Sequence, residues 1–291
     1  MDDMLKRIPW RPLSAITILI VTIALAVNYF LTHHELRQQL EQISPGLLLI
    51  LLGMYLVFTA CLTAVYDSMV RLCGVAVPKS EALLISMYSS VINFFGPLQS
   101  GPAFRAVYLN KKHGVKLKDY TSATFAYYFF YALFSGLLLL SGLLNWWLLT
   151  VVTLLVVVVI VLAHRTVFKL LGGKHMPAKA WYWLALATLL QVLLWVAIYY
   201  VELRSVSPGV HLSQVVIYTG AANFALFVSI TPGAIGFRES FLLFSQHLHH
   251  IDSSTIVAAN LIDRSVYIVL LLLLAAGIFG THAQRRFKIK V

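Results

Sequence analysis

Three arginines, Arg105, Arg238 and Arg264, fall inside otherwise apolar stretches of this chain. A guanidinium at the centre of a membrane helix costs about 2.5–3.5 kcal/mol on insertion scales, so it faces the protein interior and has a partner there. Two of the three recur in a matched setting. One stretch reads Asn93-Phe94-Phe95-Gly96-Pro97-Leu98-Gln99-Ser100-Gly101-Pro102-Ala103-Phe104-Arg105. The other runs from Asn223-Phe224 to Thr231-Pro232-Gly233-Ala234-Ile235-Gly236-Phe237-Arg238-Glu239. In each, an apolar segment carrying Asn-Phe meets a Pro/Gly break, and a short segment opens with Phe-Arg. A helix N-terminus presents free N–H groups and a partial positive charge. An added guanidinium makes an anion site there, with phosphate as a natural ligand. Arg105 and Arg238 are therefore read as two half-sites for a lipid phosphate or another anionic head group.

A competing reading makes the arginines staples of the fold. Glu239 adjoins Arg238 and Asp263 adjoins Arg264. Helix neighbours do not face each other, so the pairs to expect are Arg238 with Asp263 and Arg264 with Glu239. The two acids then either close the fold or meet a cationic group on a substrate. Asn93 and Asn223 either line the site or satisfy backbone groups freed by the breaks. Gly96, Gly101, Gly233 and Gly236 permit unusual dihedrals or close approach. Pro97, Pro102 and Pro232 end helices by lacking an N–H.

Other polar residues carry weaker signals. Asp67 and Arg71 form an ordinary i,i+4 pair. Gln191 lines a cavity or bonds a neighbouring helix. Tyr127, Tyr128 and Tyr131 read as core. His247, His249 and His250 fit no zinc pattern. The chain carries no nucleophile elbow, phosphate loop or dinucleotide fingerprint. No cofactor, metal or catalytic residue is expected.

The elements that position these residues are membrane helices. The chain of 291 residues is 60% hydrophobic and 11% charged, with a mean hydropathy of +0.84. Its apolar runs are continuous and approach the roughly 20 residues that cross a bilayer. They lack the period-two alternation of a closed barrel. Full spans are expected at about 13–31, 47–70, 119–143, 146–163, 181–201 and 253–279. Apolar segments at about 80–95 and 211–230 end in the breaks, and short helices at about 103–112 and 236–249 follow. Cys61 and Cys73 lie about 18 Å apart along a helix, too far for a disulfide.

The net charge of +11 reflects topology rather than nucleic-acid binding. If both broken segments return to the side they entered from, the loops at 1–12, 71–79, 111–118, 164–180 and 284–291 share one face. Those loops hold 17 of the 22 Lys and Arg residues, which marks that face as cytoplasmic. A full crossing by 80–95 would strand Lys111, Lys112, Lys116 and Lys118 outside. The expected fold class is therefore an all-α polytopic membrane protein. It has six full spans and two re-entrant broken-helix pairs arranged as an inverted repeat, one of about 13–143 and one of about 146–280. Residues 1–291 form a single transmembrane domain with both termini cytoplasmic. Duplicated broken helices of this kind point to a transporter's substrate site near midplane.

The Thr231 to Glu239 segment resembles the Pro-Gly-Gly-x-Gly-x-Arg-Glu motif of the lysylphosphatidylglycerol synthase transmembrane region. The Gly96-Pro97 to Arg105-Ala106 stretch is similar to that family's first break, and Ile262-Asp263-Arg264-Ser265-Val266-Tyr267 to its late Arg-containing helix. The likeness covers about 13 to 280. It implies an integral lipid translocator of the inner membrane, with Arg238, Glu239 and Arg264 at motif positions. The family often carries an Arg where this chain has Tyr127-Tyr128, and Ala234 stands for a common Gly. The chain stops at Val291 without the synthases' catalytic domain, so no synthase activity is expected. The expected partners are membrane lipids with an anionic or zwitterionic head group, and a lipid-modifying enzyme, with no nucleic acid. The alternatives are a non-transporting partner of a lipid-modifying or glycosyl transferase, and a small-anion transporter.

Overall fold

Ser44 opens the described part of the chain by capping a helix. Its Oγ accepts a bond from the Leu47 N–H at 3.2 Å, and Pro45 occupies the first helical position, where a missing N–H costs nothing. The computed structural model describes residues 44–95, 100–170, 177–228 and 237–288. All its elements there are helices: α1 (Pro45–Leu72), α2 (Lys79–Phe95), α3 (Ser100–His113), α4 (Leu117–Leu140), α5 (Trp146–Leu170), α6 (Ala178–Val206), α7 (Leu212–Val228), α8 (Phe237–Phe244), α9 (Gln246–His249) and α10 (Ser253–Lys288). Four have the length and apolarity to cross a membrane: α1, α4, α6 and the Ser253–Ile278 part of α10. These match the spans expected near 47–70, 119–143, 181–201 and 253–279. The apolar part of α5, Trp146–Leu162, is shorter. The span expected at about 13–31 lies outside the described residues.

Both interrupted segments fold as antiparallel helix pairs. The start of α3 lies against the end of α2: the Ser100 hydroxyl donates to the Ile92 carbonyl at 3.1 Å, and the Gly101 N–H to Asn93 Oδ1 at 3.3 Å. At the far end, Glu81 of α2 takes Lys112 at 3.0 Å, His113 at 2.5 Å and the Tyr108 hydroxyl at 2.9 Å. Charge and hydrogen bonding thus hold the base of the hairpin while its tip is held by backbone groups. In the second pair, Gln214 near the start of α7 donates to the carbonyls of His249 and His250. The short helix expected over 236–249 is divided at Ser245 into α8 and α9.

The long helices bring the pairs together. α1 packs along α6, α2 packs on α10, and α7 packs on α4. One core joins α1, α6, α7 and α10 around Tyr55, Trp195, Tyr199 and Tyr218. A second joins α1, α3, α4 and α6 around Met69, Leu109, Phe130 and Trp181. Outer apolar side chains such as Leu154, Leu155 and Leu162 on α5 stay exposed. A bilayer would cover them.

Gly114 and Gly101 are among the glycines that geometry requires. Gly114 ends α3 at φ +67, and the Val115 N–H reaches the Leu109 carbonyl at 3.3 Å, closing the turn in the left-handed region that glycine favours. Gly101 allows α3 to touch α2. A Cβ there would lie 2.6 Å from Ser89 Oγ and 2.7 Å from the Ser89 carbonyl oxygen. Gly101→Ala is therefore expected to destabilise the protein by about 1–3 kcal/mol through overpacking, measured by chemical unfolding in detergent. Gly53→Ala, with nothing near its Cβ, should stabilise by up to about 1 kcal/mol.

Candidate functional site

Two buried guanidiniums, one from each broken-helix pair, sit over two tyrosines of the inner helices. Arg105 on α3 lies 3.6 Å from the centre of the Tyr66 ring on α1. Arg238 on α8 lies 5.4 Å from the centre of the Tyr199 ring on α6. The interval from Tyr66 to Arg105 equals that from Tyr199 to Arg238. A ring face attracts a cation through its quadrupole, so each inner helix supplies the same kind of seat.

The remaining partners differ. Arg105 Nε donates to the Tyr120 hydroxyl at 2.7 Å, and Nη1 to Ser89 Oγ at 2.8 Å. Arg105 meets no carboxylate among the described residues. It is 3% exposed, and among the described residues its charge is met by hydroxyls and π-electrons. Beside it is a small cavity of about 10 Å³, room for roughly one water molecule, lined by Tyr66, Val70, Val77, Leu109 and Tyr120.

Arg238 is neutralised. Its Nη2 lies 2.8 Å from Asp263 Oδ2 and donates to Asn260 Oδ1 at 2.6 Å. Its Nε is buried without a hydrogen-bond partner, as is the Tyr199 hydroxyl. Arg264 donates through Nη2 to Glu239 Oε1 at 2.9 Å. Both cross-pairs foreseen from the helical offsets are formed. They tie α8 to α10 twice. A belt of tyrosines links the two seats: Tyr127 and Tyr131 stack at 5.8 Å, with Tyr127 in electrostatic reach of Arg105 and Tyr131 of Arg238.

The other expected residues divide between site and scaffold. Asn93 is exposed and accepts from the Gly101 N–H, one of the orphan donors of a helix start. Asn223 is fully buried and spans to α4. Its Oδ1 accepts from the Tyr131 hydroxyl at 2.8 Å and its Nδ2 donates to Ser135 Oγ at 3.1 Å. Gly101 and Pro102 lie in the first turn of α3 rather than in a break, where proline's missing N–H has no intrahelical role. Arg105 is consequently more than a turn inside α3, whereas Arg238 is the second residue of α8. Gly96, Pro97, Pro232, Gly233 and Gly236 lie outside the described residues. Gln191 pairs with Tyr127 at 3.1 Å.

Sequence reasoning missed Glu202. The span expected to end near 201 continues to Val206, and Glu202 is 1% exposed. Trp195, Ile198 and Tyr199 are buried on the same face, and the i+3, i+4 progression continues to Glu202. It also missed Tyr66, Ser89, Tyr120 and Asn260, whose types are too common in membrane helices to stand out.

The apolar helices and the interior charge make this a multi-pass membrane protein. Residues 14–275 match the model of the lysylphosphatidylglycerol synthase TM region, and the chain belongs to that family. The family ties it to lipid synthesis or flipping. A comparison with curated proteins finds no match.

Removing one member of the α8–α10 pair would leave the other charge buried. Asp263→Ala is expected to cost about 3–5 kcal/mol in chemical unfolding. The double variant Arg238→Met/Asp263→Ala should recover part of that loss through a coupling term. A single-variant cost under about 1 kcal/mol, the range of exposed pairs, would show that the pair does not hold α8 on α10.

Proposed function

We propose that the protein is a flippase-like translocator that moves a phospholipid, or another phosphate-bearing lipid, between leaflets. The observation that carries this reading is Arg105, a buried guanidinium with hydroxyl partners and no acid among the described residues. A phosphodiester carries the single negative charge that this site lacks, and hydroxyl donors suit its oxygens. The family's tie to lipid synthesis or flipping favours a lipid over a small hydrated anion.

The frame of six spans, two re-entrant pairs and an inverted repeat completes the reading. The packing supports it: α1 with α2 matches α6 with α7, α3 with α4 matches α8 with α10, and α2 with α10 matches α7 with α4. A two-fold relation between halves predicts this set of contacts. With lysine-rich loops cytoplasmic, the pairs enter an inner membrane from opposite faces, and rocking of the halves alternates access to the head group. Arg238 serves as the second seat once its hold on Asp263 loosens, and Asp263 and Glu239 then meet a cationic part of a zwitterionic head group. Arg264, Asn93 and Asn223 position these groups. The protein itself carries out no bond chemistry in this reading, and its partners are membrane lipids and an enzyme that modifies them.

The test is leaflet exchange of a fluorescent phospholipid in proteoliposomes. Arg105→Ala should cut protein-dependent exchange at least tenfold, about 1.4 kcal/mol in the rate-limiting barrier, while the variant inserts and elutes as the wild type does. Arg238→Ala should cut it too, with a further loss of stability. Unchanged exchange by a folded Arg105→Ala protein would remove that residue from the lipid path.

A further inference from the structure

Glu202 is a buried carboxyl with no ion pair among the described residues. Its Oε1 lies 3.4 Å from the Tyr55 hydroxyl oxygen, while that phenol's one proton is directed to Asp263 in a shorter bond. Tyr55 on α1 thus stands between the carboxyl of Glu202 on α6 and that of Asp263 on α10, and all three are at most 4% exposed. Arg238 on α8 ion-pairs with Asp263 and also lies within electrostatic reach of Glu202. The other groups facing Glu202 are the phenols of Tyr199 on its own helix and Tyr218 on α7. Counting the neighbouring Arg264–Glu239 pair, the cluster holds three acids against two guanidiniums. Two carboxylates sharing one site in a low-dielectric interior do not both stay ionised. One proton has to reside there, and the phenol between the acids gives it a route from one to the other.

We propose that Glu202, with Tyr55 and Asp263, is a proton-binding site that couples head-group movement to the proton gradient. The inference rests on the translocator reading and adds its energy source. When Glu202 loses its proton to water, two carboxylates hold Arg238. When Glu202 regains it, only Asp263 competes for the guanidinium, and an anionic head group can take Asp263's place. Anion and proton then favour each other's binding by the same factor.

Infrared difference spectroscopy of the protein in vesicles reads the site without any transport. Between acidic and neutral buffer, wild type should show a protonated-carboxyl band that Glu202→Gln removes. A band unchanged in Glu202→Gln overturns the proposal. Should that variant fail to insert, Tyr55→Phe replaces it: a shifted titration midpoint supports the shared proton, and an unshifted one contradicts it. In the exchange assay, an imposed pH gradient should accelerate wild-type exchange, and the ratio with and without the gradient should fall to parity in Glu202→Gln. Exchange that ignores the gradient in wild type overturns the coupling and leaves the lipid reading intact. Absence of any exchange overturns the lipid reading, and with it the coupling; the infrared band then decides the proton site alone.

Discussion

A guanidinium held away from water in a membrane protein must be matched by charge, and the two halves of this protein meet that constraint differently. Arg238 is matched from within, by Asp263. Among the described residues, Arg105 is matched by a tyrosine face, a phenol and a serine hydroxyl, with no carboxylate. Breaking an internal pair leaves an uncompensated charge, which is costly. Keeping a cation unpaired is also costly, unless an arriving anion offsets it. The positions of α3 and α8, and the tyrosines of α1 and α6 beneath them, follow from holding these two charges in place.

α1 and α6 run together at the centre, and each presents a tyrosine to an arginine, Tyr66 to Arg105 and Tyr199 to Arg238, but the other partners of the two guanidiniums differ. α2 is anchored on α10 and α7 on α4. The acids concentrate on the Arg238 side, where Glu202 and Asp263 share the Tyr55 hydroxyl. Among the described residues, charge is thus polarised: a cation without an acid at Arg105 and an excess of carboxyls around Arg238.

Much of this was legible in the residue order, because membrane helices are specified by long apolar runs and charges stand out within them. α1, α4, α6 and α10 fall where run length placed them. The cross-pairing of Arg238 with Asp263 and of Arg264 with Glu239 followed from helical offsets alone. Helix starts were less legible: Pro102 reads as a breaker, yet it sits in the first turn of α3, where proline is tolerated. Glu202 was hidden because apolarity falls off after residue 201 while the helix continues to Val206. A carboxyl one residue past an apolar run reads as interfacial until its buried face is known. The seats for Arg105 were hidden for another reason. Tyr66, Ser89 and Tyr120 lie on three different helices, and only tertiary packing brings them to one guanidinium.

The central claim is that Arg105 is an anion receptor held open by the absence of an acid. Native mass spectrometry of the protein released from phospholipid nanodiscs tests it most directly. Wild type should retain a phosphate-bearing lipid through ejection, and Arg105→Met, inserted and folded, should lose it while still carrying neutral diacylglycerol equally well. Equal retention of the phospholipid by both proteins would contradict the account.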